Sequence, residues 1–363
     1  MMFPRCHLHI GMEKTGTTTI QAAMANNRKV LENQGYTYSR SMGRDNHVNL
    51  VAYARDDDTS DNQRKRALAR KGQTLDAFRD ELEVLFNEEA RKYSGKVLLL
   101  SNEHLQSRLT NIREKTRLKE LLDQQCGDIE IYLYVRRQDL VAVSLYGTRL
   151  LSGAKLKYGK VFPDLNSQQP LPYFYDYLTI WREWCTVFGK DHVHLRIFAP
   201  GRLEDNDIVT DYLSWLGLQN LQGIVLPSRQ NESISAAAQY LMSRMNELNP
   251  TFFETTPNPL RGRADHRVIE SCKGQGLQPA RAEAEAFYSL FRDRNATLFS
   301  EAGLDVENFI PDFEFLPEVV TAETVSRQEL ADASVKLFKN VVAELNETRK
   351  ELALLKRNNR NEI

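Results

Sequence analysis

The sequence predicts an α/β fold, a parallel sheet covered by helices on both faces, with a helical C-terminal extension. Two observations predict it. Between Cys6 and Phe198, short aliphatic runs recur, and amphipathic stretches with apolar residues every three or four positions separate them. Strand, helix, strand, helix in that order implies parallel strands buried on both faces. At 363 residues the chain is long enough for one large α/β domain or for two of ordinary size.

The elements follow in order. Cys6 to Ile10 reads as the first buried strand, and Thr17 to Gln34 as the helix after it. Asp56 to Lys71, crowded with Asp, Asn, Gln, Arg and Lys, reads as an exposed insertion. The helix Leu75 to Tyr93 precedes the strand Lys96 to Ser101. The helix Arg113 to Gln125 precedes Ile129 to Val135, and the helix Tyr173 to Phe188 precedes His192 to Phe198. After about residue 225 strand signals fade into helical patterns and Pro- or Gly-punctuated loops, notably Asn249 to Lys273. The expected organisation is a core over residues 1–225, a mainly helical completion or lid over 226–320, and a C-terminal helix over 321–363. In that last segment a heptad places Ala331, Phe338, Leu345 and Leu352 at one core position and Ser334, Val341, Thr348 and Leu355 at the other. It fits either an amphipathic helix packed on its own domain or a homo-oligomeric coiled coil.

Composition narrows the function. Lys plus Arg total 48 against 49 Asp plus Glu, a net charge of −1, which argues against a protein that coats nucleic acid and makes any anion site local. Cys6, Cys126, Cys185 and Cys272 stand far apart without CxxC or zinc-finger spacing, and read as free thiols in a reducing compartment. No run reaches signal-peptide or membrane-span length, so the expected location is cytoplasmic.

The strongest signal is Leu8-His9-Ile10-Gly11-Met12-Glu13-Lys14-Thr15-Gly16-Thr17-Thr18-Thr19-Ile20-Gln21, a strand that breaks into a Gly- and Thr-rich turn and opens a helix. Glycines let successive N–H groups converge on one phosphate at the positive end of a helix; Lys14 adds a full charge and the threonines add hydroxyl donors. Lys14 precedes the second glycine, whereas GxxxxGK[ST] places its lysine after it, and no Walker-B strand ending in Asp follows. The simpler inference is an anion site that needs no metal.

Lys14-Thr15-Gly16-Thr17-Thr18 resembles the 5′-phosphosulfate loop of the sulfotransferase family, usually Lys-Ser/Thr-Gly-Thr-Thr at the first strand-to-helix turn. The resemblance covers roughly residues 5 to 220. It implies a P-loop-type sheet and 3′-phosphoadenosine 5′-phosphosulfate (PAPS) as donor, with 3′-phosphoadenosine 5′-phosphate (PAP) as product. Thr17 and Thr18 would hold the 5′-phosphate, beside Thr15, Gly16 and Thr19. A second resemblance lies in Tyr132-Leu133-Tyr134-Val135-Arg136-Arg137, where a strand again runs into a helix. In the family an Arg at that strand end and a Ser eight residues on bind the donor's 3′-phosphate, which implies Arg136 and Ser144, with Arg137 a neighbouring alternative. A guanidinium fork with a hydroxyl about two helical turns on is sensible phosphate chemistry in its own right.

Sulfuryl transfer to a hydroxyl needs a base for the acceptor proton. Val97 to Ser101 is a strand followed at once by Asn102-Glu103-His104, so Glu103 and His104 both lie at the functional edge of the sheet. Small-phenol and steroid enzymes of the family tend to use His, whereas glycan- and tyrosine-modifying members tend to use Glu. Glu103 is the favoured base, His104 its rival, and helix capping the structural alternative for Glu103. The implied acceptor is a carbohydrate or glycolipid, with a small-molecule alcohol still open. Thr19 stands where animal cytosolic members have a Trp, and their C-terminal Arg-Lys-Gly motif has no clear counterpart, Arg261-Gly262-Arg263 being the nearest. Two rival classes stay open: a P-loop kinase or nucleotide hydrolase using ATP and magnesium, and a non-catalytic assembly protein using the C-terminal helix.

Overall fold

The computed structural model describes residues 2–57, 64, 65, 68, 72–165, 170–218, 222–227, 233–253, 256–259, 261, 272–305, 309–321 and 325–361. Five strands form one sheet: β1 (Phe3–Gly11), β2 (Tyr36–Tyr38), β3 (Val97–Ser101), β4 (Cys126–Val135) and β5 (Val193–Ile197). Their order is β2-β3-β1-β4-β5, and every neighbouring pair is parallel. β6 (Phe252–Phe253) and β7 (Thr256–Pro257) pair antiparallel as a separate two-stranded sheet.

The first helices are α1 (Thr17–Asn26), α2 (Arg28–Asn33), α3 (Val48–Ala54) and α4 (Leu75–Lys92). Next come α5 (His104–Arg108), α6 (Ile112–Asp123), α7 (Gln138–Leu151), α8 (Tyr177–Phe188) and α9 (Ile208–Trp215). The last four are α10 (Ala236–Leu248), α11 (Arg281–Ser289), α12 (Arg292–Ala302) and α13 (Arg327–Asn361). Contacts divide the chain into two compact units: Met1–Gln138 with Asn166–Gln230 and Leu290–Pro311, and Asp139–Leu165 with Asn231–Ser289 and Asp312–Ile363.

The first unit holds the whole sheet. From Cys6 to Gly11 every residue of β1 is buried, as a strand with a neighbour on each edge and helices on both faces requires. On one face Ile20 and Met24 of α1, Leu31 of α2, Tyr212 and Leu213 of α9 and Leu216 just after it pack against Tyr132 and Tyr134 of β4. Elsewhere in the unit the fully buried Lys115 of α6 donates to Glu183 Oε2 of α8 at 2.9 Å and to Leu109 O at 2.6 Å, so its charge is paired where no water reaches it.

Three sequence expectations change. The helix expected over Thr17 to Gln34 breaks at Asn27, whose amide donates to Ala23 O and Val225 O and accepts from Val225 N; a side chain that captures backbone groups in this way competes with helix continuation. Tyr173–Tyr175 is a separate 3-10 turn, because Asp176 caps α8 by accepting from Thr179 N. The segment from Asp56 is not uniformly exposed: Asp56 is buried, its N–H donating to Glu114 Oε1 and its carboxylate accepting from Asn111 and Arg113, and Arg64 is buried as well. Residues 58–63, 66, 67 and 69–71 of that segment lie outside the described residues.

In the second unit Tyr146 and Leu150 of α7, Ala238 and Met242 of α10, and Ile234, Cys272 and Leu277 form the core. Ser235 caps α10 through Ala238 N. Arg261 is buried and donates to Met245 O, Asn249 O and Asn246 Oδ1 at the end of α10, while Gly262 and Arg263 lie outside the described residues. The long C-terminal helix is present as α13, 35 residues. No disulfide joins the four cysteines, and among the described residues no helix is long and apolar enough to cross a membrane.

Candidate active site

β1 lies between β3 and β4, and the chain passes from β3 on one side of it to β4 on the other. The carboxyl ends of these three strands, Gly11, Ser101 and Val135, therefore flank the point where strand order reverses, the usual ligand crevice of an open parallel sheet.

Gly11 ends β1 at φ 115°, and a Cβ there would sit 3.0 Å from Glu103 O, so the strand end is pressed against the turn just after β3. Beyond it Lys14 takes φ 69° and Gly16 φ 81°, two left-handed positions in one short loop. Alternation of this kind turns successive N–H groups toward a common point and makes an anion-binding concavity. The Thr15 hydroxyl donates to Met12 O at 2.7 Å and is fully buried, so it shapes the loop from within.

Gly16 is the N-cap of α1, with no side chain to satisfy the first amides, and no acidic residue lies in that first turn. Helices α4, α6, α8, α9 and α10 all begin on a capping Thr, Asn, Asp or Ser side chain. The N-terminal amides of Thr17 and Thr18 have no intrahelical acceptor, and with the helix dipole they offer positive potential to an anion. A phosphate fits this end.

Lys14 stands in that loop. Burial pushes its ammonium below the usual lysine range; Glu13 pulls it back up, Arg136 pushes it down further, and Glu103 pulls it up. Arg136, at the end of β4, donates from Nη1 to Lys14 O at 2.9 Å, and its guanidinium lies 5.7 Å from the Phe198 ring centroid. Its own N–H points at Met12 Sδ and its carbonyl accepts from Tyr177 Oη. The arginine thus ties the loop of Lys14 to β4. Ser144 belongs to α7 in the second unit, where its carbonyl accepts from Thr148 Oγ1.

Glu103 is held by amides. Gln21 Nε2, from the second turn of α1, donates to Oε2 at 2.7 Å, and Asn46 Nδ2 donates to the same oxygen at 3.2 Å. Asn46 in turn accepts from Asn102 Nδ2. Oε1 is the freer oxygen, with Asn46 at 3.4 Å and His104 Nε2 at 3.8 Å. Glu103 makes no side-chain cap to α5, so the capping alternative fails. His104 meets Glu13 Oε1 through Nδ1 at 3.2 Å, and Ser107 donates to the same oxygen at 2.9 Å. Burial raises the Glu13 carboxyl, but the His104 and Ser107 hydrogen bonds and the Arg108 charge outweigh it and leave it below the usual range. Beneath these groups, His9 Nδ1 and Gln21 Nε2 both approach Ser101 Oγ, and Ser101 N donates to His47 Nδ1 at 2.9 Å. His47 therefore carries its proton on Nε2, toward Ser39 O at 3.1 Å.

Lys14, Glu103, His104 and Arg136 thus gather at one sheet edge in the first unit. Gln21, Asn46 and Glu13 escaped the sequence reading. Gln21 had a weak signal, its place three residues after Thr18; Asn46 had none, since it enters from a segment without periodicity. Among the described residues no group of three or more His, Cys, Asp or Glu side chains is placed to hold a metal ion.

No family model matches the chain, and no curated protein matches it. Among solved structures it is similar to the crystal structure of a sulfotransferase from Alicyclobacillus acidocaldarius, at 12% identity and a TM-score of 0.44, over 84% of this chain and 97% of that one.

Proposed function

We propose that the protein is a sulfotransferase that moves a sulfuryl group from PAPS to a hydroxyl or amine, the acceptor being a carbohydrate or glycolipid. The observation that supports it most is the start of α1: a cap without a side chain and a first turn without an acid, next to Lys14 and beside a carboxylate held by Gln21 and Asn46. Its Lys-Thr-Gly-Thr-Thr sequence resembles the phosphosulfate loop. The donor supplies an activated sulfuryl group whose leaving phosphate is already stable, so positioning and charge stabilisation carry the reaction.

In this reading the amides and hydroxyls of Thr17 and Thr18 hold the 5′-phosphate, with Thr15 and Gly16 shaping the loop and Thr19 next to it. Arg136 takes the 3′-phosphate, and the resemblance adds Ser144. Glu103 accepts the acceptor's proton through Oε1 while the acceptor oxygen forms its bond to sulfur. As the bond from sulfur to the bridging oxygen breaks, Lys14 stabilises the charge left on PAP. A second reading makes His104 the base, because Glu13 fixes its Nδ1 and leaves Nε2 to receive a proton.

Thermal unfolding of the protein with PAP, and separately with ATP and magnesium, tests the class, since a ligand of the native state raises its apparent stability. The expected result is a rise with PAP that Lys14→Ala and Arg136→Ala both remove. A rise with ATP and magnesium alone would assign the site to a nucleotide kinase or hydrolase; no rise with either would favour the assembly role.

A further inference from the structure

Helix α13 begins packed and continues bare. Leu330 and Ala333 of its first turns lie against Ala237 and Val325, and Leu337 adds to the core of the second unit. From Phe338 on, the heptad positions are in water: Phe338 is 71% exposed, Val341 47%, Leu345 48%, Leu352 50% and Leu355 63%. An apolar stripe maintained at 3.5-residue spacing along an exposed helix is the seam of a coiled coil, and a lone helix would leave it wet.

Charge identifies what covers it. With Phe338, Leu345 and Leu352 at a and Val341, Thr348 and Leu355 at d, Glu344 and Glu351 fall at g, while Arg349 and Lys356 fall at e. In a parallel, in-register pair each g residue faces the e residue five positions on in the partner, which sets Glu344 opposite Arg349 and repeats the pair by symmetry. An antiparallel pair would oppose Glu to Glu and base to base. We infer that residues 338–355 of α13 form a parallel, in-register coiled coil with a second copy of this chain, the pairing selected by these g and e charges. The seam is short and Thr348 is polar, so the dimer is concentration-dependent.

Sedimentation equilibrium of the full chain across roughly 1 to 200 µM reads the association. The expected result is a dimer that Leu345→Glu with Leu352→Glu abolishes, with helix content and melting temperature otherwise kept because both residues are exposed. Glu344→Lys should weaken it by about five- to tenfold, and adding Arg349→Glu should restore it. Oxidised Leu352→Cys should link like residues of two copies. A chain monomeric throughout that range, a dimer indifferent to the Leu345 and Leu352 changes, or a dimer that Glu344→Lys strengthens would each overturn the proposal.

Discussion

Glu103 and His104 are adjacent in the chain, yet they meet different partners: Glu103 takes two amides, and His104 takes a second carboxylate. Amide donors hold a carboxylate in place and leave its charge intact, whereas Glu13 holds the imidazole by the nitrogen that cannot then act as base. This gives a prediction with separable outcomes. Glu103→Gln should lower kcat by about 10²- to 10⁴-fold with little change in the KM for donor, and His104→Ala by roughly tenfold. If the two effects were reversed, the proton would go to His104. Gly11 supplies a stability prediction. Alanine there would combine a left-handed φ with a Cβ 3.0 Å from Glu103 O, so Gly11→Ala should cost about 1 to 3 kcal/mol in denaturant unfolding.

At the scale of elements, α1 starts without a side-chain cap and α9 packs against that start. Ile208 at the start of α9 would lie 3.1 Å from a Cβ on Gly16, so the two helix starts abut. Asp207 caps α9 by accepting from both Val209 N and Thr210 N at 2.9 Å. Asp207→Ala should therefore cost about 1 kcal/mol of stability and also weaken PAP binding, measured by calorimetry, because the packing behind the loop loosens. A loss of stability with unchanged PAP affinity would separate α9 from the site. Asp207 and Ser235 stand directly before the helices they cap, so the starts of α9 and α10 were open to a sequence reading, which named neither. The break at Asn27 was not, since its cause is the distant backbone of Val225.

For the folded molecule, buried histidines set the response to acid. Burial holds His9 and His47 down to about 3, and burial with the Arg5 charge holds His7 down to about 4, against an ordinary value near 6.5. The unfolded chain binds these protons and the native one refuses them. The stability they carry is therefore full above pH 6.5 and is lost as pH falls from there through the folded values, at about 1.4 kcal/mol per unit for each group. Among the described residues the buried His7 Nδ1 has no hydrogen-bond partner, and its ring packs edge-on to Tyr132. His7→Phe should accordingly keep the fold and flatten the plot of unfolding free energy against pH by about 1.4 kcal/mol per unit between roughly pH 6 and 4.5. An unchanged slope would mean that His7 is protonated in the native state.

The alternation of strand and helix, the loop of Lys14 and its opening into α1, Glu103 and His104 after β3, Arg136 after β4, and the heptad of α13 can all be read along the chain. Each rests on local periodicity or on the chemistry of neighbouring residues. That β1 lies between β3 and β4, so that Gly11, Glu103 and Arg136 share one edge, comes from the fold. The fold alone brought Gln21 and Asn46 onto Glu103 and Glu13 onto His104, turned Thr15 inward, buried Asp56, and turned Arg261 onto the end of α10. For the contacts on Glu103 and His104 the physical reason is the same. A hydrogen bond between residues 57, 82 or 91 positions apart leaves no periodic trace, because its partners are selected by where the packed sheet sets them down.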